Sequence, residues 1–92
     1  MSKSIHSPGH LRLRELLTEA RKAAGLTQEE VAGRLKRPQS FVAKYEGGER
    51  RIDVVEFIAI VRALEREPSE MFESLVRAVG EQGAARKRPR RG

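Results

Sequence analysis

Gln39, Ser40, Ala43 and Lys44 stand at i, i+1, i+4 and i+5. At 100° per residue on a helix they share one side, and Phe41, Val42 and Tyr45 fall on the other. The first set is uncharged polar, small and basic, which is the chemistry needed on the floor of a DNA major groove. A Gln amide can pair with both exposed groups of an adenine edge, a Ser hydroxyl bonds either member of a base pair, and a Lys reaches guanine or phosphate. A small Ala lets the backbone approach or meets a thymine methyl. For any one of these residues an ordinary solvated helix face is the better account. Only the unit around them separates the two readings.

That unit runs over residues 25–48. Thr27 is a good N-cap hydroxyl and Glu30, three residues on, completes a capping box, so a helix starts just after Gly25-Leu26. Val31, Ala32 and Leu35 give this helix an apolar side, and Lys36-Arg37-Pro38 ends it because a residue before proline is pushed out of the α region. Pro38 suits the first turn of a second helix, and Glu46-Gly47-Gly48 stops that helix. The spacing therefore predicts two short helices joined by a tight turn, the second carrying the polar face outward.

The run Leu26-Thr27-Gln28-Glu29-Glu30-Val31-Ala32, with Ser40, Tyr45-Glu46 and Gly48 after it, resembles the helix-turn-helix of the phage repressor and Cro class, also called the xenobiotic-response-element class of bacterial regulators. The resemblance covers residues 13–75. It implies a lambda-repressor-like five-helix fold and double-stranded DNA as partner. Carried over by position, it makes Gln39, Ser40 and Lys44 base readers beside a close-lying Ala43, and it puts Gln28 against phosphate. Thr27, Arg37, Arg50 and Arg51 are placed with Gln28 along the backbone. It also pairs Arg21 of the first helix with Glu46 in an ion pair that locks helix 1 to helix 3. Two positions depart from the pattern: Lys36 stands where a turn glycine is common, and Gly47 where a polar or basic residue is common.

Around the motif, three further helices are expected, and the fold class is an all-α, compact five-helix bundle. Ser7-Pro8 is a cap and first-turn proline for helix 1, whose core face is Leu13, Leu16, Leu17, Ala20 and Ala24, with Leu11 off that face and Arg12, Arg14 and Glu15 solvated. Asp53 caps helix 4, a buried central helix on which Val54, Phe57, Ile58, Val61 and Leu64 form a wide apolar face broadened by Val55 and Ile60. Pro68 opens helix 5, with Met71, Phe72, Leu75, Val76 and Val79 as its stripe. No alternating strand pattern occurs. The domain reading is a flexible N-terminus over residues 1–7, a folded domain over 8–79 with the motif at 27–46, and a disordered basic tail over 80–92.

Ninety-two residues support one modest core. The net charge of +6 is local, since residues 80–92 carry five Lys/Arg against one Glu. Such a tail either adds nonspecific phosphate attraction or merely solubilises the end. There are no cysteines, hence no disulfide framework or thiolate metal site, and no apolar run approaches a membrane span or a signal-peptide core. A cytoplasmic protein is expected. His6 and His10 have i, i+4 metal spacing without a third ligand, so ordinary surface histidines are the better account and no metal or other cofactor is expected. Neither is a small-molecule ligand.

The chain offers no paired carboxylates in a plausible cleft, no metal cluster, no glycine-rich phosphate loop after a strand, and no Ser/His/Asp or Cys/His set, so it is not read as an enzyme. The function expected is sequence-specific regulation of transcription, as a repressor, by a homodimer reading a near-palindromic operator. Helix 5 supplies the dimer surface through Phe72, Leu75, Val76 and Val79, unless those residues simply cap the core. The alternative is a protein-interaction module, such as an antitoxin that holds its toxin with this domain.

Overall fold

The computed structural model describes residues 7–83, with side chains through residue 80. It contains five helices and, among the described residues, no strand: α1 Pro8–Ala23, α2 Gln28–Leu35, α3 Gln39–Gly47, α4 Val54–Ala63 and α5 Pro68–Gly83. Residues 1–6 and 84–92, most of the expected flexible N-terminus and basic tail, lie outside the described part. The all-α five-helix expectation holds.

The local signals act as their chemistry requires. Ser7 Oγ accepts from the His10 N–H and α1 begins at Pro8. Thr27 and Glu30 form a complete capping box on α2, as Asp53 and Glu56 do on α4. Gly25 takes φ +75° after α1, and Gly48 takes φ +83° at the end of α3, conformations in which a Cβ is costly. Gly47 remains helical. Pro38 precedes the first turn of α3 as its N-cap, one residue earlier than a first-turn position. α5 continues to Gly83, beyond the expected end at residue 79.

Lys36 solves the turn without glycine. It adopts a left-handed φ of 58° and ψ of 42°, and the Arg37 N–H returns to the Ala32 carbonyl at 3.0 Å to satisfy the end of α2. A side chain in this region costs on the order of 1 kcal/mol relative to glycine. Lys36→Gly is therefore expected to raise the melting temperature by a few degrees with the fold unchanged, as checked by circular dichroism; a lower melting temperature would contradict it.

The core is Leu17 and Ala20 of α1, Val31 and Ala32 of α2, Phe41, Val42 and Tyr45 of α3, Phe57, Ile60 and Val61 of α4, Leu64, and Met71 of α5. α1 packs on α3 and α5, α2 on α3 and α4, and α4 on α5. This arrangement corrects the expected role of α4. Only Phe57, Ile60, Val61 and Leu64 turn inward; Val54, Val55 and Ile58 are 69%, 76% and 37% exposed. α2 and α5 pack on the helix without covering these three residues, so an apolar surface this wide is not buried within one chain. Arg14, expected to be solvated, instead reaches across to α3.

Candidate nucleic-acid interface

α3 divides as its angular spacing demands. Phe41, Val42 and Tyr45 are buried, Phe41 and Tyr45 in an edge-on ring contact at 5.4 Å, while Gln39, Ser40 and Lys44 are exposed and Ala43 is half-buried. Burial foremost, with the neighbouring Glu46 charge, pushes the Tyr45 phenol well above its usual range. The three buried residues fix the rotation of the helix about its own axis, so the polar residues project from a rigid surface.

Their orientation is set from outside α3 by a chain of hydrogen bonds. Arg21 of α1 donates from Nε to Glu46 Oε2 at 2.7 Å and from Nη2 to Glu46 Oε1 at 3.0 Å, while its Nη1 donates to the Leu26 carbonyl at 2.9 Å. The pair is nearly enclosed, with side chains 13% and 7% exposed. The hydrogen bond to Glu46 is the main reason Arg21 holds its proton more tightly than usual. Glu46 Oε1 also accepts from Gln28 Nε2 at 2.9 Å, and Gln28 Oε1 accepts from Gln39 Nε2 at 2.8 Å. The network thus runs from α1 through α3 and α2 to the first residue of α3. It holds the Gln39 amide in one orientation, which lowers the entropy lost when that amide meets a partner.

The C-terminus of α3 is covered by Arg14, whose Nε donates to the Glu46 carbonyl at 3.3 Å. Its guanidinium lies where a Cβ on Gly48 would come within 2.8 Å of Cζ, so a side chain there would push Arg14 aside, while the φ of +83° is what calls for glycine.

A second charged node flanks α3. Arg50 donates from Nη1 and Nη2 to the two oxygens of Glu56, each at 3.1 Å, and Arg37 donates from Nη2 to Glu56 Oε2 at 3.1 Å. Both guanidiniums lie over the Phe41 ring, at 4.2 Å for Arg37 and 4.7 Å for Arg50. The Arg50 guanidinium foremost, and then the Asp53 backbone N–H, hold the Glu56 carboxyl down to about 2.

The structure therefore brings Gln28, Gln39, Ser40, Ala43 and Lys44 onto one surface, with Arg37 and Arg50 beside it. Arg37 and Arg50, expected as phosphate clamps, are both engaged by Glu56. The Thr27 hydroxyl is engaged as well, accepting the Glu30 N–H at 3.0 Å, and Arg51 is exposed. Phe72, Val76 and Val79 are exposed, whereas Leu75 is half-buried. Val54 and Ile58 of α4 and Phe72 of α5 line one apolar groove together with Pro68 and Phe57. Sequence reasoning missed Glu56, Arg14 and the α4 side of this groove. The Asp53-x-x-Glu56 spacing is a usable signal for Glu56 as a cap partner; nothing local marks Arg14, whose partner is 32 residues away.

A family model described as a helix-turn-helix domain matches residues 12–74. Among solved structures, the chain is similar to an XRE-family like protein from Pseudomonas syringae pv. tomato. The two are 49% identical, over 79% of this chain and 89% of that one, with a TM-score of 0.74. No curated protein matches the chain. No helix among the described residues is long and apolar enough to cross a membrane.

Proposed function

We propose that this chain, which belongs to the helix-turn-helix family of XRE-type DNA-binding transcription regulators, is a repressor that reads a near-palindromic operator as a homodimer. Its DNA-binding class follows from membership; the reading of bases is supported above all by the outward face of α3, where Gln39 is oriented by the Arg21–Glu46–Gln28 chain. In this reading α3 enters the major groove, Gln39, Ser40 and Lys44 bond base edges, and half-buried Ala43 allows close approach. Thr27, Gln28, Arg37, Arg50 and Arg51 lie along the phosphates.

Three readers each discriminating by about 1 to 3 kcal/mol cannot by themselves give a monomer physiological specificity. Two copies, with recognition helices about 34 Å apart, read two half-sites one turn apart. Phe72, Val76 and Val79 of α5, the edge of Leu75, and the exposed Val54, Val55 and Ile58 of α4 supply the apolar surface for that pairing.

Selection from a random duplex pool is the test, and recovered sites are expected to be inverted repeats with a half-site centre spacing of about 10 base pairs. Recovery of no preferred sequence would reject sequence-specific regulation. Val76→Glu, at an exposed position, is expected to convert a dimer to a monomer in sedimentation equilibrium while leaving the melting temperature of the isolated fold nearly unchanged. A wild-type protein that is monomeric at all accessible concentrations would reject the dimer, and would favour the antitoxin-like reading in which the same apolar surface holds a different protein.

A further inference from the structure

Glu56 ties together the α2–α3 turn through Arg37 and the α3–α4 loop through Arg50, and both guanidiniums lie over Phe41 of α3. Its carboxylate takes both Nη groups of Arg50 in a two-pronged contact and adds one Nη of Arg37. A carboxylate and a phosphate present the same pair of oxygens to a guanidinium, so the edge that would grip phosphate best is already occupied. Two positive side chains beside the reading face share one negative charge, so about half of their combined charge is offset. The carboxylate is anchored independently of them by the Asp53 N–H at 2.9 Å, and its side chain is 16% exposed, so it is not a mobile group that merely drifts toward the arginines.

We propose that Glu56 is an internal competitor for the DNA backbone, which occupies the Arg50 and Arg37 donors in the free protein and restrains sequence-independent binding. This rests on the reading above that Arg37 and Arg50 lie along the phosphates. A phosphate arriving at the flank of α3 must displace Glu56 from Arg50, or settle for the outer donors of Arg37 with a carboxylate close behind them. The protein gives up part of its nonspecific attraction to every duplex, and the base-reading face of α3 carries a larger share of the total.

The test is Glu56→Gln. A glutamine at this position still accepts the Asp53 N–H, since Gln serves in a capping box as Glu does, so the start of α4 is kept while the charge is removed. Titration of random-sequence duplex across salt concentrations is expected to show a log–log slope steeper by about 0.9, one further phosphate neutralised, which corresponds to roughly eightfold tighter binding at about 0.1 M salt. The gain is expected to vanish in an Arg37→Ala/Arg50→Ala background. An unchanged or weaker Glu56→Gln protein, or an equal gain without the arginines, would overturn the proposal. Weaker binding by the arginine double variant with no gain from Glu56→Gln would overturn this proposal alone; equal binding by wild type and the arginine double variant would overturn it together with the placement of those arginines on phosphate. Should Glu56→Gln fail to fold, the wild-type Glu56 carboxyl carbon resonance decides the matter. It is expected to move on addition of duplex, and an unmoved resonance overturns the proposal.

Discussion

Arg21→Ala is expected to lower the stability of the fold by about 3 kcal/mol, at the lower end of the range for breaking a buried ion pair, and the melting temperature by about 15 °C. The reason is the enclosure of the site. The Glu46 side chain is nearly buried, and it accepts two hydrogen bonds from Arg21 and one from Gln28. Removing Arg21 leaves a carboxylate with the Gln28 amide in place of a cation, and leaves the Leu26 carbonyl without its donor. Glu46→Gln is expected to cost less, because the amide oxygen still accepts from Arg21 and the guanidinium keeps Leu26. Both substitutions should also weaken binding to a selected operator, since Gln28 and Gln39 lose their anchor. Thermal unfolding followed by circular dichroism checks the stability; melting temperatures equal to wild type for both variants would show that the pair contributes nothing.

Gln39→Ala combined with Lys44→Ala is expected to erase most of the preference for a selected operator. Each base reader removed costs about 1.5 kcal/mol of discrimination, so the pair amounts to about 3 kcal/mol per protomer, more than a hundredfold in affinity. Both side chains are exposed, so the fold should be unaffected and the melting temperature close to wild type. The band-shift comparison that matters is selected site against random duplex. The double variant should bind the two with similar affinity, and a retained preference would place the reading residues elsewhere. Arg50→Ala is expected to behave differently: it lowers affinity for all sequences alike while also releasing Glu56 from its main partner.

The fate of α4 illustrates where local pattern stops being informative. Six large apolar residues on a ten-residue helix read as a buried element, yet Val54 and Val55 are among the most exposed apolar side chains described. Periodicity reports which residues share a face, but not how many faces the neighbouring helices cover. The same holds for Phe72, which stands in the stripe of α5 beside buried Met71 and is itself half exposed, touching Phe57 edge-on at 6.3 Å. Arg37 and Arg50 show a second limit. Their positive charge is legible in the sequence, but that both share Glu56 over the Phe41 ring depends on α4 starting close to the α2–α3 turn.

What the amino-acid order determined alone was everything governed by interactions within a few residues. The capping box at Thr27 and Glu30, the Ser7 and Asp53 caps, the glycines at 25 and 48, and the division of α3 into buried and outward sides all follow from hydrogen bonds or angles spanning at most one or two turns. The Arg21–Glu46 pair, 25 residues apart, is accessible from sequence only through family resemblance. Only the packed structure decided that Gln28 joins that pair to Gln39, that Arg14 covers the end of α3, that Glu56 holds two arginines, and that one side of α4 faces outward. Each of these depends on the crossing of helices distant in sequence, which buries the shared core and thereby sets which polar ends come within hydrogen-bond reach.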